Sequence, residues 1–321
     1  MKPILSLLTC VAAAIPVVTS AAPVFSDDFS TSTLNSATPA APTSSSTAYQ
    51  LFSSKPRVPA PTIATGDLKF GIGATTSGHI EAQGLFTTSP ISLATVGDYL
   101  ELRVTFMNTS GLFAQNGHLG FGLYNSGGVG PLAGGMNGTA VSGTLGVTGG
   151  AQGWQGYASR IANNSGTHRI ATRPAQSITT GNNQDLLVEG SGSQAYIGAV
   201  SLASGASTLS VTTGTLLTEN FRITLSGVNT VQIESSLFQG GDTSGALLFS
   251  QTASGVTGAN FYNGFDALAV GWRATANTAA TTIDISSITV NAQIAAVPEP
   301  GPLALGALGV VVSALVARRR R

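Results

Sequence analysis

The apolar positions of this chain recur with a period of two. Leu100, Leu102, Val104 and Phe106 alternate with Tyr99, Glu101, Arg103 and Thr105, which predicts a strand with an apolar face and a second face, carrying Glu101 and Arg103, turned to water. Leu119, Phe121 and Leu123 repeat the pattern. Phe221, Ile223 and Leu225 alternate with Arg222, Thr224 and Ser226. Gly227-Val228-Asn229 then turns the chain into Val231, Ile233, Ser235 and Leu237, a hairpin signature. Near the end, Ile283 and Ile285 are followed by Ile288, Val290, Ala292 and Ile294, so the apolar parity switches across Ser286-Ser287, as a β-bulge requires. Antiparallel pairs with one apolar face need a second sheet to cover them. The pattern therefore predicts an all-β, two-sheet antiparallel sandwich.

Two apolar runs do not follow this period. Lys2 gives a positive start to the largely apolar stretch from Ile4 to Val18, and Ser20-Ala21-Ala22 supplies small residues for signal peptidase, so residues 1–22 read as a secretion signal. Cys10, the sole cysteine, falls within that segment, which leaves the mature chain without a thiol. At the other end Leu303 to Ala317 is apolar. A helix over 301–317 would be about 26 Å long, close to the hydrocarbon thickness of a bilayer. Arg318, Arg319, Arg320 and Arg321 follow and would hold that end on the cytoplasmic side, leaving everything before Pro298 outside.

Composition agrees with a β fold: 9% of residues are charged and glycine alone accounts for 40 of 321. The formal net charge of zero is misleading, because Lys2 and four arginines lie in the two terminal segments. Between Pro23 and Val297 nine basic residues face thirteen acidic ones, a net charge of −4, which gives the body no reason to seek nucleic acid. Residues 23–296 read as one domain. Thr31 to Thr47, rich in Ser, Thr, Ala and Pro, reads as a surface loop within it.

Pro298-Glu299-Pro300, the apolar run and the four arginines stand in a fixed order, and residues 297–321 resemble the PEP-CTERM sorting tail of Gram-negative bacteria. The resemblance implies recognition by an exosortase, transient anchoring in the inner membrane, and final placement at the cell surface or in an exopolysaccharide matrix. It says nothing about the chemistry of the body. Phe25-Ser26-Asp27-Asp28-Phe29 at the start and Phe265 to Gly271 with Ile283 to Val290 at the end give the body a looser similarity to concanavalin-like jelly rolls, including laminin-G-like and legume-lectin-like modules. That similarity implies that the first and last strands pair.

Candidate chemistry is sparse. Jelly-roll glycosidases of similar fold carry Glu-x-Asp-x-x-Glu or a near variant on one strand, so that one acid protonates while its partner attacks. No such spacing occurs here, and Glu81, Glu189, Glu219 and Glu234 have no acidic neighbour in sequence. His79, His118 and His168 lack a ligand-pair spacing and read as solvated loop residues, and the glycines of Gly117-His118-Leu119-Gly120-Phe121-Gly122 read as turn and bulge positions. No catalytic residues are assigned. Trp154 and Tyr157, set among small polar residues, are candidates for stacking on sugar rings, and Trp272 reads as a core residue. Asp27, Asp28, Asp266 and Asp284 are candidate calcium ligands if the chain ends meet; no other cofactor is expected. The leading expectation is a non-enzymatic structural or adhesive surface protein. A lectin-like glycan-binding module and a polysaccharide hydrolase or lyase with acids from separate strands are the alternatives.

Overall fold

The computed structural model describes residues 22–53, 62–64, 66–72, 78–110, 118–133, 150–162, 166–176, 186–188, 199–274 and 281–295. Most of the segment read as a secretion signal, residues 1–21, together with Pro298-Glu299-Pro300, the apolar run to Ala317 and Arg318 to Arg321, lies outside them. Among the described residues no helix is long and apolar enough to cross a membrane.

In chain order the strands are β1 (Ala22–Asp27), β2 (Thr33–Leu34), β3 (Ala48–Ser53), β4 (Thr62–Ala64), β5 (Asp67–Ile72), β6 (Gly78–Leu85), β7 (Ile91–Ser92), β8 (Tyr99–Ser110) and β9 (His118–Asn125). After a 3-10 turn at Gly150–Gly153 come β10 (Gln155–Ala162), β11 (Thr167–Arg173), β12 (Ser201–Ala206), β13 (Leu216–Gly227), β14 (Thr230–Gln239) and β15 (Leu247–Val256). The chain closes with β16 (Gly264–Phe265), β17 (Ala267–Ala274) and β18 (Thr281–Gln293). Sheet I has the order β15-β14-β13-β8-β18-β5-β4, with β1 also on β18, and sheet II has the order β12-β11-β10-β9-β17-β6-β3-β2. Apart from the parallel pair β2–β3, the pairings are antiparallel.

The period-two faces meet between the sheets. Leu100, Leu102, Val104 and Phe106 of β8 pack in one buried cluster with Leu119, Phe121 and Leu123 of β9 and Leu268 and Val270 of β17. The Phe106 and Phe121 rings lie 5.6 Å apart across the interface. The β13–β14 hairpin forms as its sequence predicts, with Asn229 at φ 50° in the turn, a conformation asparagine tolerates. The register of β18 against β8 shifts between Ile285 and Ser287, so the parity switch is a bulge. Phe25 pairs with Val290 and Ala22 with Ala292, which places the two ends of the sandwich side by side in sheet I.

One expectation is corrected on the outer face of sheet I. Glu101 points away from the core yet is 1% exposed, because Arg103 and Arg222 close over it. Arg222 donates to Glu101 Oε2 through Nε at 2.8 Å and also through Nη2, and its guanidinium lies 4.4 Å from the Tyr99 ring centroid. Arg103 donates in addition to Asn220 Oδ1 at 3.2 Å. The face is outward, but its carboxylate is dry.

Candidate functional site

Two regions of sheet II carry more chemistry than a sandwich needs to fold: its outer face, and a pocket beside the end of that face. Along the outer face the register aligns Glu81 (β6), Gly271 (β17), Gly120 (β9), Arg160 (β10) and Arg169 (β11) in one row. Gln83, Ala269, Gly122, Ala158 and Ala171 form the next. The middle of the sheet is therefore floored by glycine and alanine. Gly120 and Gly122 sit inside β9 rather than in turns, and what requires a small residue at Gly120 is a close approach. A Cβ there would lie 2.5 Å from Cβ of Val188.

The segment Leu186–Val188 lies on this floor. Glu81 of β6 accepts the Leu187 N–H at Oε1 (2.8 Å) and the Val188 N–H at Oε2 (3.2 Å), while Gln83 Nε2 donates to Oε1 at 2.6 Å. Tyr124 of β9 donates its hydroxyl to the Leu187 carbonyl at 2.7 Å, and Arg173 of β11 donates Nε to the Leu186 carbonyl at 3.0 Å. Arg173, itself fully buried, also donates Nη1 to the carbonyls of Gln152 (3.1 Å) and Trp154. Burial raises Glu81 to about 7, against the opposing pull of the amide donors and of Arg173. Leu187 and Val188 join Tyr124, Ala151, Trp154, Ala267 and Ala269 in a second apolar cluster, separate from the main core.

Neither aromatic stacking candidate presents a ring to a ligand. Trp154 is 0% exposed, capped by this second cluster, with its indole N–H donating to the Val129 carbonyl at 2.7 Å. Tyr157 is 0% exposed because its parity on β10 points it between the sheets; its hydroxyl donates to the Asn260 carbonyl and accepts the Tyr262 N–H, both at 2.7 Å. The side chain of Trp272 lies outside the described residues.

The four aspartates proposed for calcium each have partners of their own, although the first and last strands do pair. Asp27 is buried and accepts from the Phe29 N–H (2.7 Å) and Ser32 Oγ (2.6 Å), its pKa raised by that burial. Asp28 accepts from the Ser30 N–H at 3.0 Å and is held below its usual range by the Ser30 hydroxyl. Asp284 pairs with Lys69 at 3.1 Å, and Asp266 accepts from both N and Oγ of Ser126 at 2.7 Å. Among the described residues no three His, Cys, Asp or Glu side chains come together as a metal site.

The histidines are on strands and buried, not on solvated loops. His79 and His118 flank β17 with ring centroids 6.5 Å apart. His168 faces between the sheets, stacks on Phe249 at 3.9 Å and accepts the Ala162 N–H at Nδ1. Burial, with Arg160 nearby, pushes it down to about 4.

The pocket has a volume of about 400 Å³ and lies among the Pro39–Pro42 loop, Leu85, Thr88, Gly128 and Asp266. Thr47 and Ser126 add hydroxyls to its wall. This is within the size range of small-molecule sites. Sequence reasoning picked out Asp266 but not its surroundings, which come from four separate stretches of chain. In sequence Glu81 stands only as an acid without an acidic neighbour, and Tyr124 and Arg173 belong to no motif. The visible signal was the polar parity of His79, Glu81 and Gln83 against the apolar parity of Ile80 and Ala82.

No protein-family model matches the chain, and no curated protein matches it. Among solved structures it is similar to the carbohydrate recognition domain of Emp47p at 12% identity, covering 75% of this chain and 87% of that one, with a TM-score of 0.40. Peanut lectin with a nine-residue peptide aligns at 11% identity over 76% of this chain and 91% of its own, with a TM-score of 0.39. Arcelin-5, a lectin-like defence protein from Phaseolus vulgaris, aligns at 14% over 77% and 92%, with a TM-score of 0.40. Likeness at this level carries no argument about what the chain binds or does.

Proposed function

We infer that this protein is an exported, non-enzymatic structural or adhesive component of a Gram-negative cell surface or exopolysaccharide matrix. Its single sandwich domain, residues 23–296, is delivered by the signal segment 1–22 and sorted by an exosortase through Pro298-Glu299-Pro300. The observation that carries the non-enzymatic reading is the state of the buried acids. Glu81 holds the amides of Leu187 and Val188, and Glu219 accepts from Ser235. Asp98 accepts from the N–H groups of Ala94, Thr95 and Ala295, and Glu101 lies under two arginines. Each of these four bonds another part of the chain through at least one carboxyl oxygen, whereas polysaccharide cleavage needs two carboxyl groups facing one open cleft. Pairing of the first strand with the last suits a body tethered by one tail while it is sorted.

The sorting step is tested by a carboxy-terminal epitope, followed in a host with and without its exosortase. Wild type is expected to lose the epitope on the way to the surface, and the triple variant Pro298→Ala, Glu299→Ala, Pro300→Ala to keep it and stay in the inner membrane. An intact epitope on the surface form of the wild type contradicts the reading.

A glycan-binding role for the same body is favoured by the pocket beside Asp266, where the exposed Thr88 stands beside apolar proline and alanine walls while the Asp266 carboxylate holds Ser126 and the Thr47 hydroxyl holds Leu85 in place. Filling it with Thr88→Trp is expected to abolish retention on a glycan array. Unchanged retention by the folded variant removes the pocket from that reading.

A further inference from the structure

The contacts to Leu186–Val188 share one property. Three side chains from three different strands, Glu81, Tyr124 and Arg173, all bond main-chain atoms of three consecutive residues, two N–H groups and two carbonyls. None of these contacts reads a polar side chain. The remaining recognition is apolar: Leu187 and Val188 pack with Trp154, Tyr124 and Ala269, and Leu186 packs with Phe52 of β3. The glycine floor lets a backbone come down onto the sheet, with Val188 seated over Gly120 and Gly271, where an added Cβ would stand 2.5 and 2.8 Å from its side chain. Such an arrangement selects a class of ligand. It fits a short, bent, apolar stretch of polypeptide whose main chain offers adjacent amides to a carboxylate, and it depends little on which chain supplies that stretch.

We propose that the outer face of sheet II is a peptide-binding groove, self-occupied by Leu186–Val188, that accepts an equivalent apolar segment from another polypeptide when its own is displaced. This goes beyond the surface role inferred above and uses a different region from the Asp266 pocket. Self-occupancy makes the site silent in the isolated protein. The intramolecular segment competes at an effective concentration that a free peptide reaches only at millimolar levels.

The probe is a labelled synthetic peptide with the sequence Gln184 to Gly190, titrated into the mature protein and into Leu187→Asp, whose own segment can no longer lie against Trp154. The variant is expected to bind the peptide about tenfold more tightly than wild type, and adding Gly120→Val, at a floor position where the three nearest atoms to an added Cβ all belong to Val188, is expected to abolish that gain. If Leu187→Asp is folded by circular dichroism and binds no more tightly than wild type, the segment is only a second core layer and the proposal is overturned. Should Leu187→Asp fail to fold, Leu187→Ala is the replacement, with an expected gain of about threefold; no gain there overturns the proposal equally.

Discussion

Ser235 Oγ donates a 2.7 Å hydrogen bond to Glu219 Oε1 between the two sheets, where Ser159 of the facing sheet meets Ser235 at 2.6 Å. Glu219 shares the parity of Leu217, Phe221 and Ile223 on β13, so a carboxyl group occupies a core position. Burial raises its pKa well above the ordinary carboxylate value, and Ser235 offsets this only in part.

A carboxyl with a raised folded pKa keeps a proton that the unfolded chain releases above pH 4.5, so stability falls as pH rises from there, by about 1.4 kcal/mol per pH unit while the folded proton is held. Glu219→Gln removes that dependence. Urea midpoints are expected to show the variant gaining on wild type as pH rises; a gap that stays constant with pH contradicts the assignment.

Glu81 behaves alike but over a bounded window. Its proton is held between 4.5 and about 7, so wild type is expected to lose stability relative to Glu81→Gln across that interval, by roughly 3 kcal/mol, and no further above it. His168, pushed down to about 4, has the opposite sign: the unfolded chain takes a proton below 6.5 that the folded chain refuses, so stability falls as pH drops towards 4. Comparing each variant with wild type at every pH isolates the group in question. A Glu81→Gln difference that keeps growing above pH 7 would place its pKa elsewhere.

Val104→Asp sets an unpaired charge among Leu102, Phe106 and Phe121 and is expected to prevent folding or cost about 5 kcal/mol. Arg103→Gln is expected to cost only about 1 kcal/mol, because Arg222 still covers Glu101. Arg103→Gln with Arg222→Gln takes both cations and their cover from Glu101, leaving Asn291 Nδ2 as its donor, and is expected to cost more than the two single changes together. Additive thermal shifts in the double variant would show that Glu101 does not depend on the pair.

Gly120→Ala and Gly153→Ala separate the packed floor from the open surface. An added Cβ at Gly120 meets Val188, whereas at Gly153 nothing lies within 4 Å. The first is expected to cost about 1–3 kcal/mol and the second to stay within about 0.5 kcal/mol of wild type. Equal melting temperatures for the two variants would contradict the seating of Val188.

The strands of the core were legible because each carries its own alternation. β8, β9, β13 and β14 follow the predicted parity, and the bulge in β18 shows as a break in it. The pairing of β1 with β18 came instead from the resemblance of the chain ends. Glu101 was misread because parity gives direction and not exposure: the arginines that bury it come from one neighbour on its own strand and one residue 121 positions away. Trp154 and Tyr157 look alike in sequence, yet one is sealed by a second layer and the other by the main core. Nothing periodic marks Leu186–Val188, and its anchors at positions 81, 124 and 173 are related only through strand order.

A non-enzymatic matrix protein and a depolymerase part most sharply when the mature protein is incubated with exopolysaccharide from its own host and scored for co-sedimentation, solution viscosity and new reducing ends. The protein is expected to sediment with the polymer while viscosity and reducing ends stay at the level of a protein-free control. Falling viscosity with reducing ends that increase in proportion to protein would establish a depolymerising enzyme and overturn the non-enzymatic role.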